Sequence, residues 1–365
     1  MRTVLGTIFR SLAKYLAVFF ASLFVLATIL VILLFNIENT LLNAGTYKRA
    51  LVRNNVYGQL PALAEAEVNA MQAFLTDQAG IDSEDMGFMN NLTDQDWQTL
   101  LTHVLPPDEA RGMIENTLDQ VFAVINGETD TASLSLVKLK AHLSGQDGKE
   151  VTQYLLNIQP PCTEEQLAQI HSENPDPGQP EFCRPPQPDL PLLTSQWQEK
   201  LDSTTAGIPD EVVLIQPPSE RLDNGALGND PIARLNTLRL EIRFSPLLPL
   251  VLLVLITLLR VRSLKSWLLW WGVPLLITGL LTMAIDLAIP ALLNWAWVNA
   301  ILPRFPSALS AGITGLIRSL VNSVASALTR PIMLEAAILA LIGLAAIIGS
   351  FFVKTKLEQP VPSVS

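Results

Sequence analysis

The sequence predicts an α-helical membrane protein: four transmembrane helices, with a mainly α (α+β) extracytoplasmic domain inserted between helices 1 and 2. Three observations predict it. Four strongly apolar, uncharged stretches interrupt the chain. About two hundred mostly polar residues lie between the first stretch and the second. Basic residues gather at one end of each stretch.

Residues 15–35, 267–285 and 336–353 carry no charge. At ~1.5 Å per residue, each can cross a hydrocarbon core of about 30 Å. The remaining stretch, 245–259, is shorter, with Pro246 and Pro249 in its first turn. Phe244 and a snorkelling Arg243 would lengthen it by a turn. Charge decides its status. Arg2, Arg10 and Lys14 precede the first stretch, Arg260, Arg262 and Lys265 follow the second, and Lys354 and Lys356 follow the fourth. Only four crossings put all these clusters on the cytoplasmic side, as the positive-inside rule expects.

The expected layout has a cytoplasmic N-terminus (1–14), a first span acting as an uncleaved signal anchor (15–36) and an acidic extracytoplasmic domain (37–243). A second span (244–260), a cytoplasmic loop (261–266) and a third span (267–292) follow. An extracytoplasmic amphipathic helix (293–331), a fourth span (332–353) and a cytoplasmic tail (354–365) complete it. The first apolar run is longer than a secretory h-region, and Leu42 sits poorly at −3 before Ala44 as a cleavage site. Trp267, Trp270 and Trp271 at one end of the third span, with Trp295 and Trp297 beyond the other, fit interfacial belts.

The formal charge of −10 conceals two opposed halves. Residues 37–243 hold 31 acidic against 13 basic side chains, a balance of −18, and the rest of the chain is at +8. That excess keeps an exposed domain soluble, disfavours nucleic acid and anionic surfaces, and favours cationic partners. Both cysteines, Cys162 and Cys183, fall in this domain. Their number and placement predict one disulfide in an oxidising compartment, closing a loop around Pro175, Pro177 and Pro180. With His171 they supply too few ligands for a zinc site.

Helical signals dominate the inserted domain. Residues 47–53 and 59–75 hold helix formers, and 78–91 reads as a loop. Thr93 opens a helix with Asp94 and Asp96 in its first turn, and Trp97, Leu100, Leu101 and Val104 form its apolar stripe. Pro106 and Pro107 end it and start the next, whose Met113, Ile114, Leu118, Val121, Phe122 and Ile125 repeat at helical spacing before Gly127. Leu134 and Leu136 suggest a short strand, and 212–215 a second; whether they pair stays open. Helices are expected at 149–158, 163–170 and 195–203, with Thr163 and Gln166 forming a capping box. Residues 231–243 extend toward the second span, with a break at Pro246.

Between spans three and four, 303–330 is strongly amphipathic: Ile313, Leu316, Ile317 and Leu320 face opposite Ser310, Thr314, Arg318 and Asn322. Such a helix lies in the interface or packs over the bundle. Ala308 with Gly312 and Ala311 with Gly315 are small-xxx-small pairs. Asp286 and Glu335 are the only acids in or beside the later spans. With Arg318 they form the candidate polar or ionic site, either functional or an interfacial ion pair with Arg304, Arg318 or Arg330.

Catalytic signatures are missing: the sequence holds no HExxH, phosphate-binding GxxxxGK[ST], GxSxG or CxxC pattern. His103, His142 and His171 are scattered and fit surface or cap positions. Asp82, Glu84 and Asp85, or Asp94 with Asp96, fall short of a calcium loop, and Asn91-Leu92-Thr93 is a glycosylation sequon. No cofactor or metal is expected. The reading is a non-enzymatic binding or envelope-organising module, with other membrane or envelope proteins as partners besides the bilayer. A transporter or channel component with a polar site near the outer membrane face is the alternative.

Overall fold

The computed structural model describes residues 2–66, 92–171, 182–217, 231–305 and 311–353. The end of the expected 59–75 helix, the loop 78–91, Asp82, Glu84, Asp85, the sequon's Asn91, Pro175, Pro177, Pro180, Ala308, Lys354 and Lys356 lie outside them. By packing, the chain divides into two units. A membrane unit holds residues 1–46, 231–301 and 322–365, and a polar unit holds 47–230 with 302–321.

Four helical runs are long and apolar enough to cross a membrane, the mark of a multi-pass membrane protein: Ala13–Leu41, Arg234–Arg260, Leu264–Arg304 and Ala311–Phe352. The first belongs to α1 (Arg2–Leu41). In the second, α10 is Pro231–Phe244, followed by α11 (Leu247–Arg260). The break between them falls at Ser245–Pro246, as Pro246 predicted. There the Ser245 N–H (3.1 Å) and hydroxyl (2.7 Å) both donate to the Ile242 carbonyl, so the turn leaves little unsatisfied. The whole run is 27 residues long, and its first ten carry Arg234, Arg239, Glu241 and Arg243.

The third is α12 (Leu264–Ala296), capped by Ser263, whose hydroxyl accepts from the Ser266 N–H. A π-helical turn and a 3-10 turn carry the chain to Arg304. The fourth, α13 (Ala311–Phe352), differs from expectation. The amphipathic segment and the last span form one 42-residue helix that continues through Pro331. A proline removes one ladder hydrogen bond, a loss that a long membrane helix tolerates.

In the membrane unit α1 lies along α11 and α12. Phe24, Val25 and Ala27 of α1 pack against Leu252, Leu253 and Ile256 of α11. Helices α12 and α13 approach more closely still. A Cβ on Gly279 would stand 2.5 Å from the Ala340 nitrogen and 2.6 Å from the Ala336 oxygen, and one on Gly343 would strike the Leu276 backbone. Gly272 meets Gly343 and Ala346 in the same way. Lipid supplies no hydrophobic drive between helices, so such backbone contact is how they associate. The small pair Ala311 with Gly315 does not do this: a Cβ at Gly315 would meet nothing within 4 Å.

The polar unit is helical with a two-stranded sheet. Helices α2 (Ala44–Arg53), α3 (Val56–Ala66), α4 (Asp94–Val104) and α5 (Pro107–Ile125) come first. Strand β1 (Ala132–Ser135) is followed by α6 (Val137–Leu143), which the sequence reading missed; Leu136, expected in the strand, sits at that helix's N-cap. Then come α7 (Gln146–Ile158), α8 (Glu164–Ile170), α9 (Leu190–Gly207) and strand β2 (Glu211–Ile215).

The two strands pair antiparallel, with Leu134 opposite Val212 and Ser133 opposite Val213. Ala132 then faces Ile215, so Leu214 is an extra residue, a β-bulge. Both predicted N-caps form. Thr163 and Gln166 make the reciprocal capping box, and Thr93 makes one with Asp96. Gly127 closes α5 with φ at 72°, a conformation glycine tolerates best.

Candidate functional site

Two places carry polar or apolar groups that packing alone does not explain. The first lies inside the membrane unit. On α1, Phe24, Thr28, Ile32, Asn36 and Thr40 recur every four residues and are all buried. On α12, Thr278, Thr282 and Asp286 do the same. Buried threonines find acceptors inside their own helix: Thr28 donates to the Phe24 carbonyl at 2.7 Å, and Thr278 and Thr282 donate to carbonyls four residues back at 2.8 Å. These need no further partner.

Asn36 reaches across. Its Nδ2 donates to the Ile32 carbonyl and to Glu335 Oε2, both at 2.9 Å, joining α1 to α13. Glu335 therefore pairs with an amide, and Arg330, which is exposed, forms no ion pair with either acid.

Asp286 has no such partner. It is 4 % exposed, and its Oδ1 meets no donor among the described residues. Pro290, four residues on, also has no N–H to offer the Asp286 carbonyl. Because Gly279 lies against Ala336 and Ala340 in an antiparallel helix, Asp286 stands about one turn beyond Glu335 along the bundle. Arg318, the third candidate, is exposed on α13 and belongs to the polar unit, whereas Asp286 and Glu335 belong to the membrane unit.

The polar unit's own chemistry is mostly consumed by structure. Cys162 and Cys183 form the predicted disulfide, with Cα atoms 4.9 Å apart. Around it pack Leu156, Ile170 and Leu193, and Phe182 meets Trp197 edge-on at 5.0 Å. Backbone bonds from Cys162 N–H to the Arg184 carbonyl and from Arg184 N–H to the Pro160 carbonyl join the two segments beside the disulfide. His171 donates from its ring nitrogens, Nδ1 to the Leu167 carbonyl at 2.8 Å and Nε2 to the Asp189 carboxylate at 2.9 Å. Those contacts hold its pKa above the usual histidine value, the Leu167 carbonyl first and the Asp189 carboxylate second. Asp96 accepts from Thr93 and, at 2.6 Å, from the Tyr154 hydroxyl, which keeps its carboxyl below the usual range. Its oxygens serve a cap and a tertiary contact. His142 likewise engages Asp147, and His103 the Thr99 carbonyl.

The second place is β2. The sheet has two strands, and β1 packs on α5, so β2 has no strand beyond it among the described residues. Its residues are apolar yet open: Val212 is 38 % exposed, Val213 56 % and Leu214 49 %. All three are more than a third exposed even though β2 also touches α5. The strand is anchored at its start. Leu136 N–H donates to the Asp210 carbonyl, Lys140 bridges the Ile208 carbonyl and Asp210, and Ser133 donates to Glu211. The sequence suggested a strand here, but its solvent-facing position has no local signature.

Comparison with protein-family models, with curated proteins and with solved structures finds no match to this chain.

Proposed function

We propose that the protein is a membrane-anchored binding module whose polar unit faces outside the cytoplasm and captures an extended segment of a partner protein by strand addition along β2. One observation carries this reading: Val212, Val213 and Leu214 form an anchored, apolar, exposed strand with no strand beyond it at one edge among the described residues. Proteins normally protect such an edge, and an uncovered one is a template for another strand. In strand addition the main chain supplies affinity and alternate side chains supply selectivity. The acidic balance of −18 across residues 37–243 favours a basic segment. The orientation is supported by the basic residues Lys14, Arg260, Arg262 and Lys265, which share the opposite ends of the spans.

The test is a photocrosslinking residue at Val213 in the full chain, with one at the exposed Val137 as control. The Val213 probe is expected to capture one partner segment, whose binding falls at least tenfold in Val213→Lys. Equal capture from both positions, or binding unchanged by the lysine, overturns the reading. Orientation is checked separately: an impermeant reagent on intact cells is expected to label a tag beside Val213 and spare one beside Arg262.

A second reading, a transport component, is favoured by one specific feature: the buried carboxylate of Asp286, whose Oδ1 meets no donor among the described residues. Intramembrane acids of this kind mark ion or substrate pathways. Asp286→Asn would then abolish a flux that the full chain confers on vesicles. An unchanged flux rejects it.

A further inference from the structure

Between α1 and α12 runs a cavity of about 640 Å³ with almost wholly apolar walls. Val18, Ser22 and Leu26 form one wall, and Leu269, Val273 and Ile277 the other. The one hydroxyl among them, Ser22, already donates to the Val18 carbonyl. Its volume falls within the about 300–1,000 Å³ of ligand sites, and it is open along the side that lipid would face, since Val18, Leu26, Val273 and Ile277 are exposed.

One end of this groove is basic. Lys14 precedes Val18 by four residues on α1, and Lys265 precedes Leu269 by four on α12, so each stands one turn below its wall on the same helix face. The Arg260 guanidinium lies 5.8 Å from the ring centroid of Trp270, which also lines the groove. Among the described residues no acid answers these cations. Residues 1–37, 242–285 and 336–357 contain no Asp or Glu, and Lys14, Arg260 and Lys265 form no ion pair among the described residues. Three uncompensated cations at the mouth of an apolar slot between membrane helices match a lipid whose headgroup is anionic and whose chain fills the slot.

We infer that the α1–α12 groove is a specific site for an anionic phospholipid, with one acyl chain along Val18–Leu26 and Val273–Ile277 and the headgroup phosphate at Lys14, Arg260 and Lys265. This goes beyond the binding role assigned to β2 and does not depend on it. Nor does it depend on which way the chain faces, because it requires only the leaflet that meets the basic end.

The full chain is reconstituted in vesicles, and tryptophan fluorescence is titrated with brominated phosphatidylglycerol or brominated phosphatidylcholine. Trp270→Phe isolates the contribution of the groove. The Trp270 fraction is expected to be half-quenched at about tenfold less of the anionic lipid than of the zwitterionic one. In the triple variant K14Q/R260Q/K265Q the two curves converge. Val273→Phe keeps the cations but fills the slot, and lowers quenching by both lipids. Coincident curves in the unmodified protein overturn the proposal. So does an anionic preference that survives Val273→Phe at full strength, which would mean headgroup adsorption without chain insertion.

Discussion

The two units solve the same problem, holding helices together, with different materials. In the membrane unit α12 and α13 touch backbone to backbone at Gly272, Gly279 and Gly343, and a side-chain hydrogen bond from Asn36 to Glu335 crosses from α1 to α13. In the polar unit the contacts are those of a water-exposed domain: a disulfide, two capping boxes, a small aromatic core and surface ion pairs such as Lys138–Glu109. Where water competes, burying apolar side chains is profitable and ion pairs are nearly neutral. Where lipid surrounds the helices, apolar contact is indifferent, and close packing with satisfied polar groups decides.

That contrast can be broken first at Gly343. Replacing it by Leu drives a side chain into the Leu276 backbone and should destabilise the α12–α13 pair by about 3 kcal/mol or more. Thermal unfolding of the detergent-solubilised chain measures this, and the polar unit's melting should be unmoved. Next is the disulfide. Cys162→Ser with Cys183→Ser removes a cross-link over 21 residues, worth roughly 3 kcal/mol to the polar unit alone. A reductant should reproduce that loss in the parent chain and have no further effect on the double variant.

Asn36→Ala is a smaller probe. Interhelical hydrogen bonds in membranes average about 0.6 kcal/mol, so the loss should be of that order, and Glu335→Gln should retain most of the bond. If Asn36→Ala costs as much as Gly343→Leu, the bundle is held by polar contacts and the contrast is wrong.

The smallest effect is pH dependence at His171. Its folded pKa is raised, so its contribution is complete below the ordinary histidine value and is lost as pH rises through the raised one. Asp189→Asn should lower the pKa seen by NMR, though not fully, because the Leu167 carbonyl contributes first. No change on that substitution would remove Asp189 from the account.

Local signals were legible where the chemistry is local. Thr163 and Gln166 are three residues apart, and the box they form is dictated by helix geometry. Pro246 predicts the break between α10 and α11 because it has no N–H. The disulfide followed from having only two cysteines. Less legible was the glycine packing. Gly272 and Gly279 are seven residues apart, a spacing that keeps both on one face, yet the sequence reading weighed Ala311 and Gly315 instead. Nothing along the chain says which small residues will meet a partner.

The amino-acid sequence by itself determined the four spans, the caps, the cysteine pair and the charge segregation, because each depends on residues within a few turns or on composition. Only the tertiary structure decided that Asn36 would answer Glu335 across 299 positions, that Asp286 Oδ1 would meet no donor among the described residues and that β2 would be exposed. Those outcomes depend on which helix faces meet. That is set by the sum of many weak contacts between distant segments, and no single stretch of sequence contains it.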